Sequence, residues 1–222
     1  MPERPSPRRL YLRDIEPDLL ACEAAANFLR FLRQLEHEAL GTPASTPAAA
    51  TDDKELLALP IGRLVRRLAR FARVGTGADT DTAEDLVRRY CALLALQVRG
   101  AIPIYGVSFR GSDPLLMADM RTPTHGPPPP EAFPEMAEVL LAAKARILLA
   151  RDEPIALREL AALSSRPVNA VRRRVLEDYE QKDLVSWDAL KELRPSENRG
   201  VRVRPAIARD FLGRQRVPGF GL

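Results

Sequence analysis

The chain has 222 residues, of which 45% are hydrophobic and 29% charged, and a formal net charge of +4. That length suits one large domain or two small ones, with enough apolar content for a buried core. No stretch approaches the roughly 18 uncharged apolar residues of a membrane span, and two cysteines are too few for a disulfide framework.

The opening "MPERPSPRRLYLRDIEP" is basic but has no apolar run, so it reads as an irregular arm and not as a secretory signal. Pro17 is suited to the first position of a helix, and Leu20, Ala24, Phe28, Phe31, Leu32 and Leu35 follow helical spacing. That helix is expected to run to about Leu40 and to end at Gly41. "GTPASTPAAATDD" (41–53) has the composition of a linker. Residues 54–59 add a turn of helix, and Pro60 opens another. Ile61, Leu64, Val65, Leu68 and Ala72 form one stripe of that helix, and Arg63, Arg66, Arg67, Arg70 and Arg73 fill much of the rest. Such an arginine face reads most simply as solvated.

Asp81 or Thr82 is expected to cap a helix running to Arg99, with Gly100 as its stop. Its second half, "YCALLALQV", is apolar on most sides, as in a helix that is central or forms a subunit interface. Residues 101–111 read as a strand or extended segment. "RTPTHGPPPPEAFP" (121–134) is the strongest boundary, because its prolines remove backbone donors and favour a stiff spacer. A helix over 135–153 follows. Further on, Ser186 is placed to cap a helix over 187–194 that holds Trp187, "GVRVRP" alternates like a strand, and 206–214 reads as a last helix.

Charge is unevenly placed. Residues 1–150 hold 19 Lys+Arg and 19 Asp+Glu, whereas residues 151–222 hold 15 and 11, so the whole positive excess lies in the C-terminal third. A local basic surplus is what a phosphate-facing module needs. Arginine richness alone is weak evidence here. Lysine appears only at positions 54, 144, 182 and 191, and the many alanines and prolines point to a GC-rich bacterial genome.

The most informative stretch is "LRELAALSSRPVNAVRRRVLE" (157–177). Leu157, Leu160 and Leu163 form the inner face of a first helix, and Ala161 is small enough for a close helix contact. Ser164 and Ser165 occupy a turn. Pro167 suits the first turn of a second helix, with Ser165 as its cap and Val171 and Val175 on its inner face. Val168, Asn169, Arg172 and Arg173 then look outward. Arginine can donate two bonds to guanine, and asparagine can pair bidentately with adenine. Arg166 and Arg174 are placed to reach phosphates, which position a protein without specifying sequence.

This stretch resembles the helix-turn-helix of bacterial DNA-binding regulators, of general form xLxELAxLxGVSxxTVRRxL, over about 20 of the 222 residues. Ser165 stands where the pattern has glycine, and Arg166 where it has an apolar residue. The helix before it and the "RVRV" strand and helix after it resemble the winged-helix or excisionase-like arrangement. The helical patterns and composition predict a mainly α fold, with a helical dimerisation or partner-docking domain (1–120) and a proline-rich linker (121–134), and the resemblance implies a helix-turn-helix domain, winged with a short β element (135–222). It implies double-stranded DNA as the partner of Arg166, Val168, Asn169, Arg172, Arg173, Arg174, Arg202 and Arg204. The expected protein is a cytoplasmic, non-enzymatic regulator, or the DNA-recognition subunit of a mobile-element or defence system, which forms a homodimer or binds a protein partner through its N-terminal helices. The alternative is a non-catalytic assembly subunit whose helical faces bind protein.

Other signals are weaker. "GTGADTD" follows a helix instead of a strand, so it does not read as a phosphate loop, and Asp79 and Asp81 are better explained as helix caps than as cation ligands. "GVSFRG" lacks the spacing of a nucleophile elbow. His37 and His125 have no evident partners. No catalytic constellation, metal-ligand set or cofactor motif emerges, and Cys22 and Cys91 read as buried thiols in a reducing compartment.

Overall fold

The computed structural model describes residues 11–40, 52–76, 78–105, 134–178, 184–185 and 202–220. Among these residues the chain is mainly helical, with eight α-helices, a 3-10 turn and three very short strands. The 3-10 turn (Leu12–Asp14) leads into α1 (Pro17–Leu40), α2 (Asp53–Ala58), α3 (Pro60–Val74) and α4 (Thr80–Tyr105). Next come α5 (Pro134–Ala150), β1 (Ile155–Ala156), α6 (Leu157–Leu163) and α7 (Val168–Asp178), then β2 (Leu184–Val185), β3 (Arg202–Val203) and α8 (Pro205–Arg214). The expected helix over 187–194, with Ser186 and Trp187, lies outside the described residues, as do Gly41 and residues 106–111.

Prolines set several helix starts. Pro60 and Pro205 each sit at the beginning of a helix, where a missing N–H leaves no bond unmade. At its other end α3 closes on Gly75, whose φ of 81° is the left-handed geometry that favours glycine.

α4 departs from expectation at both ends. Asp79, one of the two aspartates read as helix caps, takes the cap position instead of Asp81 or Thr82: the Asp79 Oδ1 accepts a hydrogen bond of 2.7 Å from the Thr82 amide. That bond to the charged form holds the Asp79 carboxyl below the usual range. The helix then runs through Gly100 and Pro103 to Tyr105, so residues 101–105 are helical and not extended. Glycine inside a helix costs only about 1 kcal/mol, and a proline this near the helix end removes only one backbone bond.

α5 is the centre of the assembly. Its buried residues, including Met136, Val139, Leu140, Ala142, Ala143, Ile147 and Leu149, lie on every side of the helix. They meet α3 and α4 on one side and α6, α8 and β1 on the other. The helix after the proline-rich stretch therefore shares a single apolar cluster with the helices before it. That cluster runs from Leu12 to Val217. α1 and α2 cover α3 from outside. Cys22 and Cys91 are both buried and free.

The three strands form one antiparallel sheet of order β1-β3-β2. Val203 faces Ile155 on one side and Leu184 on the other, and Arg202 faces Ala156 and Val185. β1 runs directly into α6, so the sheet fixes where the α6–α7 pair begins. No helix among the described residues is long and apolar enough to cross a membrane.

Candidate nucleic-acid interface

The α6–α7 unit is built from the inside outward. Leu160, Ala161, Ala162 and Leu163 are buried on α6, and Val171 and Val175 are fully buried on α7. The turn between the helices is tight because backbone amides close it. The Ser164 amide bonds the Leu160 carbonyl at 2.9 Å, the Ser165 amide bonds Ala162 at 3.1 Å, and the Arg166 amide bonds Ala161 at 3.0 Å. Paired bonds of this kind need a left-handed residue at the corner, usually glycine. Ser165 takes that seat with a φ of 53°.

Two sequence expectations change at this turn. Ser165 does not cap α7. Its hydroxyl instead accepts a 3.1 Å hydrogen bond from the backbone amide of Arg13, 152 positions earlier in the chain. Pro167 lies just before α7, where its carbonyl accepts from the Ala170 and Val171 amides, both at 3.0 Å. The fixed φ of proline still suits the position, and no donor is lost from the helix.

With Val171 and Val175 inward, the 3.6-residue period assigns the other positions. Asn169 and Arg173, four residues apart, stand opposite Val171, and Arg172 and Leu176 lie on one flank. Asn169, Arg172, Arg173 and Arg174 are all exposed, and so is Arg166 at the turn. Val168 is half-buried and packs against the core, so only part of it is outward. α7 has 11 residues, which makes it about 16 Å long.

The charges on this helix are lightly held. Arg173 approaches Glu177 at 3.7 Å and Arg174 approaches Asp178 at 3.1 Å, both one helical turn apart. Exposed pairs of this kind are worth well under about 1 kcal/mol, so a phosphate or base edge could displace them. Among the described residues, no carboxylate pairs with Arg166 or Arg172. Arg204 is exposed at the start of α8. Arg202 is half-buried, and its Nη1 donates to the Pro154 carbonyl at 3.3 Å, which ties it to the approach to β1.

An ion pair between the half-buried Lys144 and the buried Glu159 also bears on the unit, and the sequence reading did not single it out. Glu159, 4% exposed, accepts from Lys144 Nζ at 2.8 Å and from the Ala156 amide at 2.7 Å. It therefore joins α5, β1 and α6 at one point. The available signal was its third position in α6, from which a glutamate can reach back to the preceding amide.

The arginine face of α3 is not simply solvated. Arg66 makes a bidentate contact with Asp18 at 2.7 and 2.8 Å, Arg70 reaches the same carboxylate at 3.4 Å, and Arg73 donates to the Ile15 carbonyl at 3.2 Å. These arginines fasten the start of α1 and the 3-10 turn before it.

A half-open cleft of about 640 Å³ lies where α3 ends, α4 begins and α8 crosses α5. Arg146, 6% exposed, sits at its base. Its Nε donates to the Ala72 carbonyl at 2.8 Å, and its Nη2 donates to those of Arg73 at 3.2 Å and Pro218 at 2.8 Å. Burial lowers its pKa to about 10, so it remains a cation at neutral pH. The cleft's other charged groups are engaged too: Arg209 with Asp152, Asp79 with Thr82, and Asp210 with Arg214. Among the described residues no group of three or more His, Cys, Asp or Glu side chains is placed to hold a metal ion.

Comparison of the chain with protein-family models, with curated proteins and with solved structures found no match.

Proposed function

We propose that this chain is a bacterial sequence-specific DNA-binding protein. It acts as a transcriptional regulator or as the DNA-recognition subunit of a mobile-element or defence system. The observation that carries this reading is the outward face of α7. Asn169, Arg172 and Arg173 are exposed along one side of a short helix whose opposite side is locked by two fully buried valines. A helix of this width fits the major groove, and these side chains make bidentate contacts with base edges. Arg166 and Arg204 supply phosphate contacts. The order helix, strand, helix, helix, strand, strand with a β1-β3-β2 sheet supports a winged helix-turn-helix. The N-terminal helices bring a second copy or a protein partner to the site.

Selection of bound duplexes from a random pool tests the reading directly. A consensus should emerge with the native chain. Replacing Arg172 and Arg173 by alanine should erase it, because each bidentate arginine–guanine pair supplies about 1–3 kcal/mol of discrimination. An unchanged consensus would remove α7 from the role of reader.

One observation favours the alternative of a protein-docking subunit: Leu176, beside Arg172, is 45% exposed. A mobility-shift series in rising salt separates the two readings. A DNA binder loses affinity steeply with salt, and a docking subunit binds duplex at no salt concentration.

A further inference from the structure

The cleft between the end of α3, the start of α4 and α8 holds a charge that no carboxylate among the described residues balances. Its other charged groups are satisfied locally. Asp79 accepts from the Thr82 amide, Arg209 pairs with Asp152, and Asp210 pairs with Arg214. Arg146 differs from them. It is 6% exposed, and burial lowers its pKa with no neighbouring acid opposing the shift. The Ala72 and Arg73 carbonyls that it bonds lie at the C-terminal end of α3, whose dipole offsets only part of a unit charge. A buried cation without a counter-ion is costly.

The donors of Arg146 are not all used. Nε and Nη2 make the three carbonyl bonds, whereas no acceptor among the described residues meets Nη1. Every fully buried side-chain nitrogen or oxygen among the described residues has a partner, so the unpartnered Nη1 reaches the open space of the cleft. Gly75 and Gly219 flank it. A Cβ would come within 2.8 Å of Nη1 at the first and 3.1 Å at the second. Their φ values of 81° and 84° already favour glycine, and the missing side chains leave Nη1 uncovered. The Phe220 ring stacks 5.0 Å from the guanidinium, and Phe71 adds an apolar wall. A volume of about 640 Å³ with apolar walls and a convergent polar group has the size and make-up of a small-molecule site.

We propose that this cleft binds a small organic carboxylate, whose oxygens accept from Arg146 Nη1 and whose apolar body lies against Phe71 and Phe220. The ligand supplies the negative charge that Arg146 lacks, and it joins α3, α5 and the segment after α8. Asp79 and Asp210 in the lining disfavour a more highly charged anion such as phosphate. This site stands whether or not α7 reads DNA.

Thermal melting of the full-length protein tests it, with benzoate and hexanoate as probes at constant ionic strength. Each is compared with its neutral amide and with inorganic phosphate. At least one carboxylate should raise Tm in a concentration-dependent way, with an affinity about tenfold or more above that of its amide. Arg146→Met should abolish that preference. Because Arg146 also holds the fold, Ala150→Phe serves as a second variant. Ala150 is exposed at the end of α5 and lines the cleft, so a phenyl group there fills the space and leaves the bonds of Arg146 in place. This change should alter stability little on its own and remove most of the carboxylate shift. No shift with either carboxylate, equal shifts with the amides or phosphate, or an undiminished shift in Ala150→Phe would overturn the site.

Discussion

Replacing Arg146 by methionine tests how the end of α3 is tied to the segment that follows α8. The arginine is 6% exposed and donates to the carbonyls of Ala72, Arg73 and Pro218. Its guanidinium also lies 5.0 Å from the centre of the Phe220 ring. Methionine keeps most of the apolar stem but removes every donor. Hydrogen bonds from a charged donor contribute about 1.5 kcal/mol or more each, and three would sum to about 4.5 kcal/mol. Burying the cation has a cost that methionine escapes, and the carbonyls border an open cleft where water can replace part of the loss. The expected destabilisation is therefore about 3 kcal/mol, or roughly 6 to 12 °C in Tm for a chain of this size. Urea denaturation followed by circular dichroism measures it. Lysine at the same position should recover only part of the loss, because an ammonium is a point charge and cannot span three carbonyls as the fork does. A methionine variant within about 1 kcal/mol of wild type, or a lysine variant equal to wild type, would refute the clamp.

Three further outcomes are expected. At Ser165 the order of thermal stability should be glycine at or above serine, with valine lower by about 2 kcal/mol, because a β-branched residue resists a φ of 53°; a valine variant that melts with wild type would contradict the corner geometry. Val175→Ala should cost about 2 kcal/mol by calorimetry, since the side chain is fully buried between the paired helices; a loss near zero would mean α7 is not seated as described. Asp79 has a carboxyl pKa held below its ordinary 3.8 by the Thr82 amide, so its support of α4 is complete above that pH and fades as pH falls through the lowered value. Asp79→Asn should retain the cap and flatten the acid limb of the stability profile, and an unchanged limb would assign acid sensitivity to other groups.

What the sequence revealed follows from how local each signal is. Proline at a helix start is a backbone property, so the beginnings at Pro17 and Pro60 could be read directly, whereas Pro205, assigned to the strand before it, opens the last helix. The α6–α7 unit was readable because leucine and valine spacing alone defines an inner face. The end of α4 was misread because glycine stops a helix only where the chain turns left-handed, and at Gly100 it continues. The α3 arginines were misread for a different reason. Whether an arginine is solvated depends on a carboxylate 48 positions away, Asp18, which only the packing of α1 on α3 brings near. Glu159 and Arg146 were missed on the same ground, since their partners come from other helices. The outward positions Asn169, Arg172 and Arg173 were legible from periodicity. The turn of Arg202 toward Pro154 was not, because it depends on sheet pairing.

The central seat of α5 bears on how this chain can be dissected. The proline-rich stretch before it invites a cut, with a fragment from residue 135 taken as the reading head. Such a fragment would carry α5 with the side that meets α3 and α4 stripped to water, and Arg146 without the carbonyls of Ala72 and Arg73. It would also lack the Arg13 amide that holds the Ser165 hydroxyl. Aggregation or loss of cooperative melting in that fragment would say nothing about DNA recognition. The smallest faithful piece of this protein includes the helices on both sides of the prolines.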